Sequence, residues 1–432
     1  MSHAPSPKDD RALHLATCGS VDDGKSTLIG RLLFDAGAVL DDQLAHVATA
    51  TRRRGLEGVD LSLLTDGLRA EREQGITIDV AWRTFRSAAR RFSLADSPGH
   101  VQYTCNMAVA ASSADVAIVL LDATRGVVAQ TRRHVLLSRL VGVGTFVVCV
   151  NKMDAVGFSD TRFAEVREHV VATIDELARL LPGPTPEVVV VPISALGGDN
   201  VVHPSGKMPW YDGVPLLTVL ERARARERST EGRGRLAVQW VTRPADARLR
   251  AYAGRVTGGP LHEGDAVGIF PEGHASRIAT LTTARGRTAS ARAGESVTVT
   301  LDDAISVSRG DVIAHAERPP RVATSVTADV VVLARRGLVP GTPLVVKQGT
   351  RRVRARITRV EARYDLDALT KVASPSGPFA QNDVLTIALE TQSPLAFDPF
   401  SESRATGSLI LVDPTTGDTL AAGGLHEGQI SP

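Results

Sequence analysis

Residues Gly19-Ser20-Val21-Asp22-Asp23-Gly24-Lys25-Ser26 constrain this chain more than any other stretch. They satisfy G-x-x-x-x-G-K-[ST], between an apolar run ending at Cys18 and a helical repeat of Leu28, Ile29, Leu32 and Leu33. Strand, glycine loop and helix in that order form a cradle for phosphate. Glycines let backbone N–H groups approach the oxygens, and the helix N-terminus adds its positive end. Lys25 is placed to reach β- and γ-phosphates and the Ser26 hydroxyl to bind Mg²⁺, and Thr27 completes the nucleotide-binding stretch. An ordinary glycine-containing turn accounts for the loop alone, but not for the full motif in this context. The stretch implies a nucleoside triphosphate.

Further motifs follow at spacings that fit such a site. Arg91-Phe92-Ser93-Leu94-Ala95 reads as a strand and ends in Asp96-Ser97-Pro98-Gly99-His100. A carboxylate there is a second holder of Mg²⁺, and the Gly99 N–H can meet the γ-phosphate because no side chain blocks it. Before it, Ile76-Thr77-Ile78-Asp79-Val80-Ala81 reads as a strand whose Thr77 can offer another hydroxyl to the metal. Residues 37–75 are charged and weakly periodic, a helical excursion or a surface loop.

Residues 114–122 and 145–150 are apolar runs of the kind buried on both faces of a sheet. The second leads into Asn151-Lys152-Met153-Asp154. An ionised Asp154 can accept from N1–H and the exocyclic amine of guanine, whereas adenine has an acceptor at N1. Discrimination through an unpaired charge is large. Taken alone, Asp154 could instead cap a helix. Phe163 to Leu181 is helical in pattern, and Val188 to Pro192 is one more strand. It ends near Ser194-Ala195-Leu196, where a backbone amide can meet the guanine carbonyl. This alternation from Leu13 to Leu220 predicts a mostly parallel α/β sheet.

At 432 residues the chain exceeds one ordinary domain, and its 43% hydrophobic content supplies aliphatic cores. Fifty basic against 48 acidic residues leave +2, which carries no footprint of general nucleic-acid or membrane binding. Cys18, Cys105 and Cys149 are scattered, so free thiols are expected. The polar N-terminus has no signal-peptide core, and no run reaches membrane-span length. A soluble, cytoplasmic protein is expected.

Together, Gly19–Ser26, Glu71-Arg72-Glu73-Gln74-Gly75-Ile76-Thr77-Ile78-Asp79, Asp96-x-Pro98-Gly99-His100 and Asn151-Lys152-Met153-Asp154 resemble the translational GTPase class. Within it the chain is most similar to the GTPase (large) subunits of bacterial sulfate adenylyltransferases. Gly19–Asp23, Asp66–Gly75, His100–Met107, Gln130-Thr131-Arg132-Arg133-His134 and Met208-Pro209-Trp210-Tyr211 carry that finer likeness. Elongation factors usually have histidines where Ser20 and Asp23 stand. The match is dense from Leu13 to Leu220 and thinner beyond. The resemblance implies that His100 orients the attacking water, with Val21 and Ile76 as an apolar gate. Cys105 departs from the arginine expected in sulfate enzymes. Some relatives add a C-terminal adenylylsulfate kinase domain, and no second phosphate-loop motif occurs here.

Arg222 to Arg235 reads as a charged linker, after which short strands alternate with Gly, Pro and Asp turns. One β series spans Leu236 to Leu301 and a second begins near Ser325. The expected organisation is an α/β P-loop GTPase domain (1–228) followed by two all-β barrel domains (229–322 and 323–432). In Arg352-Val353-Arg354-Ala355-Arg356-Ile357, arginines alternate with apolar residues, so one strand face is basic. A solvated face is expected there, with an acidic partner patch or RNA as alternatives.

The expected function is a GTPase subunit that uses GTP and Mg²⁺. By resemblance, its hydrolysis drives adenylylsulfate and pyrophosphate formation from ATP and sulfate. No second nucleotide site is legible for the ATP, which places that chemistry on a separate small catalytic subunit; no membrane or nucleic-acid partner is expected. The alternative is an elongation-factor-like GTPase delivering aminoacyl-tRNA, against which near-neutral charge and the Ser20/Asp23 pattern count. A GTP-binding scaffold with negligible hydrolysis is a third, which His100 disfavours.

Overall fold

All seven residues of β4 (Val116–Asp122) are buried, as a strand covered on both faces requires. It lies inside a six-stranded sheet ordered β2-β3-β1-β4-β5-β6. Here β1 is Leu13–Cys18, β2 Ala81–Arg86, β3 Arg91–Asp96, β5 Thr145–Asn151 and β6 Glu187–Pro192. Neighbours run parallel except β2, which is antiparallel to β3. The helices are α1 (Lys25–Asp35), α2 (Asp41–Arg53), α3 (Thr104–Ser113), α4 (Ala129–Leu140), α5 (Asp160–Leu180) and α6 (Leu216–Arg222). Leu28, Ile29, Leu32 and Leu33 of α1 and Leu216 and Leu220 of α6 enter one core. There they meet alternate strand residues, among them Leu13, Leu15, Ile118, Leu120 and Cys149.

This computed structural model describes residues 12–53, 59–64, 79–99, 103–181, 183–225, 233–243 and 250–429. It divides into two units, Met1–Arg226 with Leu366–Leu369, and Glu227–Asp365 with Thr370–Pro432. Of the strand expected over 76–81 only Asp79 to Ala81 are described, and there its start is corrected, since Asp79 and Val80 precede the strand. Ile76 to Ile78 lie outside the described residues, and β2 starts only at Ala81, paired with Asp96. Just before it, the Asp79 carboxylate accepts from the Val80 N–H at 2.7 Å, a local bond that competes with a sheet ladder.

The second unit holds two closed barrels. The first comprises β7 (Arg235–Thr242), β8 (Ala251–Thr257), β9 (Leu261–His262), β10 (Ala266–Phe270) and β11 (His274–Thr283). It continues with β12 (Gly286–Thr288), β13 (Ser290–Ala291), β14 (Ser296–Leu301) and β15 (Val312–His315). The ring β10-β15-β7-β8-β14-β11 closes through β10–β11 pairing. The second barrel has β16 (Arg321–Val332), β17 (Pro343–Gln348), β18 (Arg351–Asp365), β19 (Thr370–Ala373), β20 (Val384–Phe397), β21 (Ser408–Val412) and β22 (Thr419–Gln429). Its ring β17-β21-β22-β16-β20-β18 closes through β17–β18 pairing. Period-two burial fills both, with Val297, Val299 and Leu301 inward in one and Val353 and Ile357 in the other. Arg352, Arg354 and Arg356 are exposed, and Arg356 pairs with Glu390 at 2.6 Å.

Arg235 corrects the linker reading. It is the first residue of β7 and is only 2% exposed, because Asp398 meets its guanidinium with two bonds of 3.1 and 2.9 Å. Strand β15 also escapes the sequence pattern, since four residues after Gly310-Asp311 make too short a run.

Candidate nucleotide site

The loop leaving β1 enters α1 through two left-handed residues, Asp22 at φ 69° and Gly24 at φ 91°. A Cβ on Gly24 would lie 2.5 Å from Asn151 Nδ2, so both conformation and space demand glycine. Asp23 is buried, and its carboxylate accepts from the Ser20 N–H at 2.5 Å, folding the loop back on itself. Burial pushes the Asp23 carboxyl above its usual range. Val21, Ser26 and Thr27 are half-buried around it.

The Lys25 ammonium is buried and donates to the Gly19 and Ser20 carbonyls at 2.9 and 2.7 Å. Burial pulls its pKa down, opposed by the charges of Asp23 and Asp96. A polyphosphate laid in the loop would supply more of the negative charge that such a cation needs. Asp96, 2% exposed at the end of β3, has Oδ1 3.5 Å from Thr17 Oγ1. Beyond it the backbone closes on the loop. A Cβ on Gly99 would sit 2.4 Å from Lys25 Nζ and 2.8 Å from the Gly19 carbonyl.

Two residues of α4 brace this approach. The Gln130 amide nitrogen donates to the Gly99 carbonyl at 2.9 Å. His134 Nδ1 accepts from the Gly19 N–H at 3.1 Å, which puts its proton on Nε2. Nε2 lies 2.9 Å from the Gln130 side-chain amide, which therefore stands between the ring and the Gly99 carbonyl. Burial, with Lys25 adding repulsion, pulls the His134 pKa down to about 3, so the ring is neutral.

At the other end of the loop Asn151 joins two segments. Its Nδ2 donates to the Asp23 carbonyl at 2.8 Å, and its Oδ1 accepts from the Ala195 N–H at 2.9 Å. The Ser194–Leu196 turn is held further by Arg31, whose Nη2 donates to the Leu196 carbonyl at 2.6 Å. Lys152 adopts φ 62° and reaches Asp122 at 2.8 Å. Burial alone would raise the Asp122 pKa, but bonds from Lys152 and Thr124 outweigh it and hold the carboxyl low. Asp154 is exposed, and its carboxylate has no hydrogen bond or ion pair among the described residues. It stands free to receive donors.

The structure therefore brings together Gly19–Thr27, Asp96, Gly99, Asn151 and Ser194–Leu196, with Lys152 and Asp154 directly after β5. His100, Ile76 and Thr77 lie outside the described residues. Asp122, Gln130 and His134 gained no role from sequence reasoning. The signal for the last two was their spacing of four, which places them on one helix face.

Residues 10–226 match the family described as Elongation factor Tu GTP binding domain, so this unit is a GTP-binding domain. Residues 325–426 match GTP-eEF1A C-terminal domain-like. The chain is 43% identical over 418 residues to sulfate adenylyltransferase subunit 1 of Aeromonas hydrophila, covering 96% of this chain and 86% of that protein. It is 44% identical over 413 residues to the protein of the same name from Methylorubrum populi, covering 95% and 86%. It is also 45% identical over 414 residues to the bifunctional enzyme NodQ of Azospirillum brasilense, covering 95% of this chain and 65% of that one.

Proposed function

The chain belongs to the sulfate adenylyltransferase subunit 1 family, and from that premise we propose that it is the GTPase subunit of a two-part sulfate-activating enzyme. GTP hydrolysis here drives adenylylsulfate and pyrophosphate formation from ATP and sulfate on a separate catalytic subunit. The designation "subunit 1" in the relatives supports a second chain. The reading assigns nucleotide work to 1–228 and two barrel domains to 229–322 and 323–432.

Within the Gly19–Thr27 stretch the backbone N–H groups from Val21 onward hold the phosphates, those of Gly19 and Ser20 being taken by His134 and Asp23, and Lys25 neutralises charge between β and γ. The residues fit Mg²⁺, which takes a few hard protein oxygens and completes its sphere with phosphate and water. The Ser26 hydroxyl and buried Asp96 carboxylate are such donors, with Thr77 assigned a third. Among the described residues no group of three His, Cys, Asp or Glu forms a denser metal cage. Bound there, Mg²⁺ neutralises charge on the β- and γ-phosphates. His100 orients the attacking water between Val21 and Ile76, and Gly99 offers its N–H to the γ-phosphate. Asp154 accepts from the guanine N1–H and amine, beside Asn151, Lys152 and Ser194–Leu196.

The observation that carries this reading is Asn151, whose single amide fastens the phosphate loop to the Ser194–Leu196 turn. Phosphate positioning and base positioning are thereby one rigid arrangement. The buried thiols of Cys18 and Cys149 support a reducing cytoplasmic setting. Among the described residues no helix is long and apolar enough to cross a membrane.

The test is a paired assay of phosphate release and adenylylsulfate formation by this chain with its second subunit, with and without GTP. GTP-dependent gain in adenylylsulfate is expected. His100→Ala should slow hydrolysis at least about tenfold at nearly unchanged GTP affinity. A GTPase indifferent to sulfate, ATP and the second subunit but stimulated by ribosomes would give the reading to translation.

A further inference from the structure

The two barrels share a cleft of about 410 Å³ that no part of the nucleotide reading uses. Four guanidinium groups line it, those of Arg233, Arg235, Arg318 and Arg321, against the carboxylates of Asp398 and Glu402. One pair is spent on structure. Arg235 gives Nε and Nη2 to Asp398 and Nη1 to the Gly234 carbonyl, and Asp398 also accepts from the Thr406 hydroxyl at 2.9 Å. That buried pair forms a neutral floor.

The rim is different. Arg318 and Arg321 are exposed and Arg233 is half-buried, and with Asp398 held by Arg235, Glu402 is the remaining carboxylate among the described residues that line the cleft. Arg233 Nη1 hydrogen-bonds Glu402, and Arg321 Nη2 lies 3.6 Å from its other oxygen. Two guanidinium groups thus lean on one carboxylate, and Arg318 lines the same cleft. Excess positive charge in a concave site focuses potential, and guanidinium forks match tetrahedral oxyanions with paired N–H donors.

We propose that this cleft binds a multiply charged inorganic oxyanion of sulfate, phosphate or pyrophosphate chemistry, with Arg233, Arg318 and Arg321 as donors. Glu402 is its internal competitor, holding the arginines in place when no anion is present. The site is independent of the phosphate loop and of the adenylylsulfate reading. Arg233 precedes the first barrel's opening strand, whereas Arg321 and Glu402 belong to the second, so the bound anion ties the two barrels together.

The test is calorimetric titration of the full chain at fixed ionic strength, with GDP in excess to fill the phosphate loop and without free Mg²⁺. Sodium sulfate, phosphate and pyrophosphate are the arms, and chloride is the control. One saturable site is expected for at least one oxyanion, and a stronger response to pyrophosphate would identify a condensed phosphate as the ligand. Arg318→Ala and Arg321→Ala should each weaken it at least about tenfold. Glu402→Gln keeps the side chain's shape, removes the competing charge and should tighten binding several-fold, a gain that misfolding cannot produce. Absence of saturable binding to all three anions would overturn the proposal. So would an affinity that Arg321→Ala leaves unchanged or that Glu402→Gln fails to raise.

Discussion

The Gly19 backbone N–H donates to His134 Nδ1 across 3.1 Å, so the first glycine of the phosphate loop hangs from a buried neutral histidine. Removing the ring orphans that N–H in a dry interior. His134→Ala should destabilise the nucleotide unit by about 1–3 kcal/mol for the lost acceptor, with the cavity adding to it. GTP affinity should fall as well, because Gly19 then lacks its fixed direction. Urea unfolding and nucleotide titration of the variant check both; unchanged affinity would detach His134 from the site.

The same histidine sets a pH dependence. Folded, its pKa is about 3, against 6.5 for the free side chain. Between those values the unfolded chain binds a proton that the folded chain refuses, so this contribution to stability is lost as pH falls below 6.5. Above 6.5 it is flat. The slope is about 1.4 kcal/mol per pH unit. Unfolding at pH 7.5 and 5.5 should show the parent losing more stability than His134→Gln, and equal losses would contradict the buried neutral ring.

Gly99→Ala tests the close approach of backbone to loop. The new methyl would meet Lys25 Nζ at 2.4 Å and the Gly19 carbonyl at 2.8 Å, and the second contact is with backbone that cannot swing aside. GTP affinity should fall at least about tenfold, or 1.4 kcal/mol, while GDP, without a γ-phosphate, should lose less. Equal losses for both nucleotides would remove Gly99 from γ-phosphate sensing.

Why Lys25, Asp96 and Asn151 are legible in sequence while His134 and Arg235 are not follows from how each is determined. Asp96 and Asn151 sit at strand ends and Lys25 at the start of α1, all inside short motifs where local spacing already fixes strand, turn and helix. The two barrels are legible for a related reason, since period-two burial repeats along strands such as Ser296–Leu301. His134 acts on a residue 115 positions away, and Arg235 on one 163 positions away. No local pattern encodes such pairs. A charged run ending at Arg235 looks like a linker until Asp398 is known to face it. The beginning of β2 is a different case, because Asp79 diverts the Val80 N–H at a point where β-propensity alone favours a strand.

That Arg235–Asp398 pair gives the next prediction. Both groups are nearly dry, so removing one charge strands the other. Asp398→Asn should destabilise the barrel unit by about 3–5 kcal/mol, whereas replacing the group by well-packed apolar residues should be close to neutral. Arg235→Met with Asp398→Leu and Thr406→Val, which also removes the dependent hydroxyl, is the matching variant. Denaturant midpoints compare them. A single Asp398→Asn change that left the midpoint in place would mean that Arg235 finds another partner.

Asp154 carries the sharpest chemical test, because its carboxylate is exposed and without a partner among the described residues. A group already bonded within the protein would have to give up that bond to accept from a base, whereas Asp154 gives up only water. Asn151 holds the loop and the Ser194–Leu196 turn at fixed separation, so the base arrives at Asp154 in one orientation. In Asp154→Asn the side chain gains an amide donor where guanine also presents donors. GTP affinity should fall at least about a hundredfold, in line with the large penalties for mispaired polar groups. Xanthosine triphosphate has a carbonyl in place of the guanine amine, so it should bind the variant better than GTP does. The parent protein should show the reverse order and bind ATP very weakly. Competition titrations with the three nucleotides measure all of this, and an Asp154→Asn protein that still prefers GTP would remove Asp154 from base recognition.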